Sequence, residues 1–345
     1  VIGGGPGSFI GAVHRQAARI DDLYEICSGV LSASGNRSKQ AGNALGFDPE
    51  RVYSRVDEML EMELQRPDPV DVIAIMTPND THFSYAMAAL EHGMDVICDK
   101  PMTNTVKEAL SLYEKVAETG LVFCLTHNYS GYPMVRQAKA MVMAGELGDV
   151  RLVQVEYVQG HNAENSQALT SKSDHHWRNN PEKCGPSLVL GDIGTHAHHL
   201  LRFITGLDVE EVCAQADCIV PGRSVHDWAG ALLRLSDDAR GMFWVTQAAA
   251  GVENSLKIRV SGTKGSLEWC QETPQILIFK PIGNPAQIRT PNGPGTLPLA
   301  ARACRIAAGH PEGFHEGFAN LYADVAEAVS ARLSGIGPDP LALYF

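Results

Sequence analysis

Two short motifs in the sequence carry side chains suited to acid–base chemistry. The first is Asp-Lys-Pro at 99–101, which directly follows an apolar run, and its proline restricts the backbone of the lysine before it. In the second, Asp192 precedes His196 by four residues, so both lie on one face of any helix that begins near Asp192. A held lysine stabilises negative charge on a reacting oxygen, and a histidine exchanges protons near neutral pH. These residue types are suited to a reaction in which a group of the substrate loses or gains a proton.

The lysine of the first motif belongs to a group of polar residues that each follow a predicted buried strand. The apolar runs 70–76, 95–98 and 122–126 are typical of such strands, and helical patterns separate them. This alternation predicts an α/β fold with a doubly wound parallel sheet through about residue 128. Because such sheets bind ligands at the carboxyl ends of their strands, we expect a binding site there. The polar residues at these strand ends are Thr77, Asn79, Lys100 and His127.

A glycine-rich turn stands at the same predicted edge. The first two residues are typical of a strand end, the turn runs from Gly3 to Gly11, and a helical pattern covers 12–20. Glycines allow backbone amides to approach a pyrophosphate at the amino end of a helix. Gly3 and Gly5 fit the first two positions of a dinucleotide fingerprint, and Gly11 fits the third only if the turn carries extra residues. The turn indicates either nucleotide binding or a plain strand-to-helix connection.

The residues after a second predicted strand, at 25–31, bear on the choice of dinucleotide. Folds that prefer NAD usually have an acidic residue there, which binds the ribose hydroxyls. This sequence instead has Ser32, followed by the cations Arg37 and Lys39. These residues either accommodate a 2′-phosphate or face solvent on the next helix, so the sequence leaves both NAD and NADP open.

The pattern changes after Tyr129, where runs of strands replace the alternation. We predict a nucleotide-binding domain over 1–128 and an α+β domain over 129–345 with a large, open, mainly antiparallel sheet. A terminal helix is predicted over 314–332 and can pack back on the first domain. The strands predicted for the second domain are 151–159, 209–219, 229–235, 240–249, 256–261, 266–270 and 275–280.

Several strands of the second domain contain alternating apolar residues. Leu233 and Leu235 are one example, and Phe243 and Val245 are another. We expect these side chains to form an exposed apolar face, which would mark the interface of a homodimer or homotetramer.

The composition argues against several classes of function. A net charge of −12 disfavours nucleic acid or an anionic membrane as partner, and no apolar run approaches the ~20 residues of a membrane-spanning helix. The eight cysteines are scattered without a CxxC pair, which is typical of a reducing, cytoplasmic setting. Because the chain begins inside a predicted strand, we expect further residues upstream of Val1.

The motifs occur in a defined order along nearly the whole chain. After the glycine turn come TPNDTH at 77–82, DKP at 99–101, HNY at 127–129, WR at 177–178 and GDIGTH at 191–196. In these motifs and their order the sequence resembles the Gfo/Idh/MocA family of NAD(P)-dependent oxidoreductases, named for glucose–fructose oxidoreductase and inositol dehydrogenase. The sequence departs from the family at DKP, since EKP is usual there.

The resemblance implies a role for each matched residue. Lys100, Asp192 and His196 would be catalytic: Asp192 would bind a substrate hydroxyl, and the proton acceptor is open between Lys100 and His196. The substrate would also contact His127, Tyr129 and His310. The cofactor would contact Gly3, Gly5, Gly11, Ser32, Arg37, Thr77, Asn79, His82, Asp99, Lys100, Asn128, Trp177 and Arg178.

The implied reaction is hydride transfer between NAD or NADP and a secondary alcohol or ketone of a sugar, anhydrosugar or inositol. Two alternatives are an enzyme that keeps NADP bound and exchanges hydride between two sugars, and a non-catalytic dinucleotide-binding sensor. The sequence disfavours a metal site at Asp192 and the nearby histidines. His198 and His199 cannot both share a helix face with His196.

Overall fold

The computed structural model describes residues 1–164, 181–185 and 187–337, and the chain divides into two units. Residues 1–126 and the C-terminal segment from Phe318 form the first unit, and residues 127–317 form the second. The first unit ends two residues before the predicted boundary at 128, and most of the terminal helix belongs to it.

The first unit is built on a parallel sheet of short apolar strands. In the described residues these strands are β1 (Ile2–Gly3), β2 (Val72–Met76), β3 (Asp95–Cys98) and β4 (Phe123–Leu125), hydrogen-bonded in that order. On the side of β1 away from β2, Ile2 forms a parallel bridge with Val30. The strand order therefore reverses at β1, and doubly wound sheets bind ligands in the crevice beyond the carboxyl ends at such a point.

Only part of the predicted strand at 25–31 forms. Val30 bridges to Ile2 and Gly29 to Val52, whereas residues 23–28 have no regular structure. Because β1 contributes only two residues to its ladder with β2, the segment before Gly29 has no adjacent strand along which to extend its pairing. The bridge still directs the chain toward Ser32 at the carboxyl edge of the sheet.

Helices connect the strands of the first unit, and local signals fix several of their ends. α1 begins after Ser8, whose hydroxyl accepts a hydrogen bond from the amide of Gly11 at 3.1 Å. The last of these helices begins with a capping box between Thr105 and Glu108 and ends at Gly120, which adopts the left-handed conformation. The helices are α1 (Phe9–Ile20), α2 (Gly35–Leu45), α3 (Val56–Leu64), α4 (His82–Glu91) and α5 (Val106–Thr119).

Buried polar contacts fasten the terminal helix (Phe314–Leu333) within the first unit. The Nδ1 atom of His14 lies 2.8 Å from the hydroxyl of Tyr322. Arg332 donates a hydrogen bond of 2.6 Å to Asp95, whose side chain is fully buried at the start of β3. The helix therefore contacts both α1 and the sheet.

The second unit is built on a larger sheet, which is mainly antiparallel as predicted. In the described residues its order is β12-β11-β10-β9-β5-β8-β7-β6, and only the β5–β8 pair is parallel. Its strands are β5 (Val150–Val158), β6 (Val209–Asp217), β7 (Trp228–Leu235), β8 (Arg240–Thr246), β9 (Ser255–Gly262), β10 (Gly265–Cys270), β11 (Leu277–Pro281) and β12 (Gln287–Arg289). Its helices are α6 (Pro133–Met143), α7 (Pro181–Cys184), α8 (Thr195–Thr205) and α9 (Pro298–Ala301).

The exposed face of this sheet is the opposite of the predicted one. Leu235 and Val245 are fully buried and Leu233 is 8% exposed, whereas Leu232 is 60% and Met242 52% exposed. Helix α8 packs against β5, β8 and β9 and covers the face that was predicted to be open. The prediction was wrong because both faces of these strands are apolar, so alternation alone does not say which face a helix covers.

Candidate active site

The glycine turn after β1 has the shape of a dinucleotide cradle. Gly3 and Gly4 have positive φ angles of 83° and 66°, and a Cβ on Gly11 would lie 2.3 Å from the carbonyl oxygen of Gly4. No side chain therefore fits at Gly11, where α1 meets the turn, as expected for the third glycine of a fingerprint. Gly5 is also enclosed, since its Cβ would lie 2.6 Å from the carbonyl oxygen of Leu31. The residues present fit a bound dinucleotide, and Gly4, which the spacing argument did not include, is as closely packed as the glycines on either side of it.

The segment beyond Val30 combines exposed and buried polar residues. Arg37 is exposed on the first turn of α2, and the Ser32 hydroxyl accepts a 3.3 Å hydrogen bond from the amide of Ser34. Ser38 is buried and links two segments: its hydroxyl accepts a hydrogen bond from the amide of Leu31 at 2.9 Å and donates one to the carbonyl oxygen of Tyr53 at 2.8 Å. The segment 29–47 contains no acidic residue. Its charge is therefore compatible with a 2′-phosphate.

His82 has a different role from the one predicted. Its side chain is fully buried, so it has no surface with which to line a cofactor. Its Nδ1 lies 2.7 Å from the carbonyl oxygen of Pro101, and its Nε2 lies 2.9 Å from that of Thr77. His82 thus connects the loop after β2 to the loop after β3. Asn79, which is 7% exposed, remains in the loop after β2 as predicted.

Asp99 and Lys100 follow β3 at the predicted edge. The amide of Asp99 donates to the carbonyl oxygen of Ile75 at 2.9 Å, and its carboxylate accepts a 2.8 Å hydrogen bond from the hydroxyl of Thr126. The aspartate therefore joins the carboxyl ends of β2, β3 and β4. Lys100 is half-buried next to this anchored residue.

A cluster of aromatic and imidazole rings surrounds His196 in the second unit. The His127 ring stacks on His199 at 4.3 Å between centroids and meets His196 edge-on at 5.3 Å. The Tyr129 ring meets His196 edge-on at 4.9 Å, and Tyr157 does so at 6.2 Å. Only 7% of His196 is exposed, so its ring is held in a defined orientation.

Asp192 lies on a π-helical turn, Leu190–Gly194, that leads directly into α8. A wider turn of this kind inserted before an α-helix is frequent at functional sites. The Asp192 carboxylate accepts a 2.7 Å hydrogen bond from the side-chain amide of Gln247. Asp192 is therefore on an irregular helical turn, whereas His196 lies in the first turn of a regular α-helix.

His199 belongs to the ring cluster, which the sequence did not indicate. Burial lowers its pKa to about 3, and the neighbouring charges of His198 and Lys139 act in the same direction. Its ring is therefore neutral at physiological pH, and it stacks on Phe203 as well as on His127. His198, by contrast, is exposed on α8.

The remaining predicted positions are less informative. His310 is exposed in the loop before the terminal helix, and its Nδ1 lies 3.1 Å from the carbonyl oxygen of Ala307. Asn128 is 3% exposed in the turn that opens the second unit. Trp177 and Arg178 lie outside the described residues.

Within the described ranges, no group of three His, Cys, Asp or Glu residues is placed to hold a metal ion, and no helix is long and apolar enough to cross a membrane.

Both halves of the chain match known protein families. Residues 1–127 match a profile described as an oxidoreductase family with an NAD-binding Rossmann fold, and residues 135–268 match the GFO/IDH/MocA C-terminal domain. The oxidoreductase YfiI of Bacillus subtilis (strain 168) is 32% identical over 335 residues, which cover 96% of this chain and 85% of that protein.

Solved structures show the same similarity. An oxidoreductase from Sinorhizobium meliloti is 44% identical with a TM-score of 0.89, and the match covers 99% of this chain and 90% of the other. An inositol dehydrogenase homolog from Azotobacter vinelandii, complexed with NADH and myo-inositol, is 35% identical with a TM-score of 0.90. That match covers 97% of this chain and 86% of the other.

Proposed function

The chain belongs to the Gfo/Idh/MocA family of NAD-binding oxidoreductases, and on that premise we propose that it oxidises a secondary alcohol of a polyol. The substrate class is an inositol, sugar or anhydrosugar, and the reverse reaction reduces the corresponding ketone. The observation that carries the proposal is the buried, ring-enclosed His196 one turn after the carboxylate of Asp192. A polyol-binding relative with both NADH and myo-inositol bound supports the substrate class.

The cofactor role rests on the glycine cradle and the strand ends of the first unit. Gly3, Gly5 and Gly11, together with Gly4, would hold the pyrophosphate, since they form a tight turn at the start of α1 in which a Cβ at each position would clash with neighbouring atoms. Ser32 and Arg37 would lie toward the adenosine ribose. When bound, the nicotinamide accepts the hydride from the substrate or returns it.

The proton chemistry rests on three side chains. Asp192 accepts a hydrogen bond from a substrate hydroxyl, and His196 exchanges the proton of the reacting oxygen. Lys100 stabilises the negative charge that develops on this oxygen. In the reverse assignment Lys100 accepts the proton and His196 donates a hydrogen bond. The pH profiles of a Lys100 variant and of a His196 variant, measured separately, distinguish these two assignments.

A substrate panel tests the proposal. Inositols, aldoses and anhydrosugars are offered with NAD and with NADP, and formation of reduced cofactor is followed by absorbance. We expect turnover with at least one polyol, and a loss of about 100-fold or more in kcat for His196→Asn. His198→Asn is the matched control on the same helix and keeps wild-type turnover. Wild-type turnover in His196→Asn, or no turnover with any polyol, would refute the proposal.

Cofactor that stays bound through gel filtration and is reduced by one sugar and reoxidised by another would instead identify a sugar–sugar oxidoreductase. Cofactor binding without any turnover would identify a sensor.

We further propose that the chain forms a homodimer or homotetramer through the exposed face of its larger sheet. Leu152, Leu232 and Met242 lie on that face and are 55%, 60% and 52% exposed. The last two are directly opposite each other on β7 and β8, so their side chains form one apolar patch. Leu232→Glu should lower the mass found by light scattering. Met62→Glu, at an exposed methionine of the first unit, should leave it unchanged.

The cellular setting that we propose is reducing and cytoplasmic. It is supported by the described cysteines, which form no disulfide.

A further inference from the structure

Four polar side chains of the second unit connect Asp192 to Tyr129. Gln247 follows β8, Tyr157 and Gln159 lie at the end of β5, and Asn254 precedes β9. Because β5 is paired with β8 on one side and with β9 on the other, these strand ends meet at one end of the sheet. We call Gln247, Gln159, Asn254 and Tyr157 the amide–tyrosine network.

The charge of Asp192 fixes the orientation of the first amide. An ionised carboxylate only accepts hydrogen bonds, so the group 2.7 Å from it must be the NH₂ of Gln247. The second hydrogen of that NH₂ is donated to the side-chain oxygen of Gln159 at 3.1 Å. The side-chain oxygen of Gln247 accepts a hydrogen bond of 3.1 Å from the side-chain NH₂ of Asn162. The Gln247 side chain is 1% exposed, and every one of its polar atoms has a partner.

The donors and acceptors between Gln159 and the two tyrosines can be assigned in the same way. Since the Gln159 oxygen is an acceptor, its NH₂ is the donor toward the side-chain oxygen of Asn254, at 2.7 Å. That oxygen accepts a second hydrogen bond, of 2.8 Å, from the hydroxyl of Tyr157. Because Tyr157 uses its hydrogen there, the 2.5 Å contact between the two tyrosine hydroxyls has Tyr129 as donor. The donor and the acceptor are therefore fixed for every hydrogen bond between the Asp192 carboxylate and Tyr129.

The network ends at the rings that hold His196. Both Tyr129 and Tyr157 meet the imidazole edge-on, and both tyrosines are less than 5% exposed. Gln247 and the two tyrosines are buried, Gln159 and Asn254 are half-buried, and each amide that rotated would leave several groups unpaired. Asp192 thus accepts a hydrogen bond at one end of the network, and His196 is in ring contact with the two tyrosines at the other end.

We propose that the amide–tyrosine network positions Asp192 and His196 as one unit, with Gln247 as the positioning residue for Asp192 and Tyr157 for His196. The proposal rests on the function proposed above. It predicts a division of effects: Gln247 acts through the carboxylate that binds a substrate hydroxyl, whereas Tyr157 acts through the group that exchanges the proton.

Two variants and one control test this division. Gln247→Met keeps the shape of the side chain and removes its hydrogen bonds, and we expect KM to rise about tenfold with a smaller change in kcat. Tyr157→Phe should lower kcat about tenfold with a smaller change in KM. Gln137→Met is the matched control: Gln137 is also 1% exposed and makes two hydrogen bonds, but to the 295–297 loop. It should lower Tm and leave both kinetic constants unchanged.

Thermal unfolding tests the linkage without any substrate. In the described residues Gln159 contacts both Gln247 and Tyr157, and Asn254 contacts both Gln159 and Tyr157, so the two substituted residues share these partners. The Tm losses of Gln247→Met and Tyr157→Phe should therefore be less than additive in the double variant, because the first change already releases the network. Additive losses would overturn the linkage, and a Gln247→Met variant that behaves kinetically like the control would overturn its positioning role.

A swap of the two partners separates positioning from mere stability. Gln247→Glu places a second carboxylate against Asp192, and adding Asp192→Asn restores an amide–carboxylate hydrogen bond with the charge moved to the other side. We expect the double variant to regain only part of the Tm lost in Gln247→Glu, because the new carboxylate still faces the side-chain oxygen of Gln159, and to regain none of the activity. Recovery of activity would overturn the proposal. Absence of turnover in the wild type would refute the proposed function alone, since the Tm measurements would still decide the linkage.

Discussion

The ion pair between Asp95 and Arg332 provides a direct test of how the terminal helix is held in the first unit. Arg332 donates at 2.6 Å to one carboxylate oxygen of Asp95, and the amide of Val122 donates at 2.7 Å to the other. The carboxylate therefore joins β3, the start of β4 and the end of the terminal helix. Arg332→Ala removes one of the two donors and leaves the charge of Asp95 buried.

The structure sets the size of the effect. Removing one partner of a buried ion pair costs about 3–5 kcal/mol, because the other charge remains buried. Asp95 is 0% exposed and Arg332 is 32% exposed, so water partly replaces the arginine and the lower value of about 3 kcal/mol applies. This cost corresponds to a rise of about 100-fold in the population of the opened form.

Native-state hydrogen exchange measures this opening locally. We expect exchange in the peptides that cover β3 and β4 to accelerate about 100-fold in Arg332→Ala. Adding Asp95→Asn should recover most of the loss, because asparagine keeps an acceptor for Val122 without a buried charge. The control is Arg202→Ala, since Arg202 contacts Asp208 at 2.5 Å on the surface, where such pairs contribute at most about 1 kcal/mol. Equal effects of Arg332→Ala and Arg202→Ala would refute the reasoning.

Three further predictions concern His14, Gly11 and Arg37 of the first unit. Burial lowers the pKa of His14 more than the Asp99 carboxylate raises it, so below about pH 6.5 the unfolded chain binds a proton that the folded chain does not. Stability should then fall by up to ~1.4 kcal/mol per pH unit, and His14→Gln should flatten the dependence of Tm on pH. Gly11→Ala should weaken NAD binding in calorimetry about tenfold or more, whereas Gly313→Ala, whose Cβ meets nothing closer than 3.9 Å, should not. If Arg37 contacts a 2′-phosphate, Arg37→Ala should weaken NADP binding about tenfold and leave NAD binding unchanged, whereas equal losses for the two cofactors would show that it does not.

The motifs of the first unit could be predicted because their chemistry is local. Buried parallel strands are continuous apolar runs, so the polar residue that ends each run stands at a known edge of the sheet. Thr77, Asn79 and Lys100 were assigned to that edge in this way. His82 was not understood from the sequence, because its two carbonyl partners come from separate loops and only the packed structure shows that it faces inward.

The support of the candidate site could not be predicted in the same way. Gln159, Gln247 and Asn254 are ordinary polar residues next to strands, and nothing in their types or spacing distinguishes them from solvated ones. Their contact depends on the pairing of β5 with both β8 and β9, which is a property of sheet register. The same missing information caused the error at Leu233 and Leu235, whose face could be assigned only once the covering helix was known.

The charge of Asp192 gives a physical reason why such ordinary residues matter. An amide can rotate by half a turn and still form hydrogen bonds, so a chain of amides alone has two equivalent orientations. A carboxylate at one end removes this equivalence, because it accepts and never donates. Replacing Asp192 with asparagine should therefore disturb more than the substrate contact: it allows Gln247 and its neighbours to adopt both orientations, and the tyrosine rings around His196 lose their single arrangement. In Asp192→Asn we expect broadened or doubled side-chain amide resonances for Gln247 and Gln159 in NMR spectra, and single sharp resonances would refute the idea that the carboxylate sets the direction of the network.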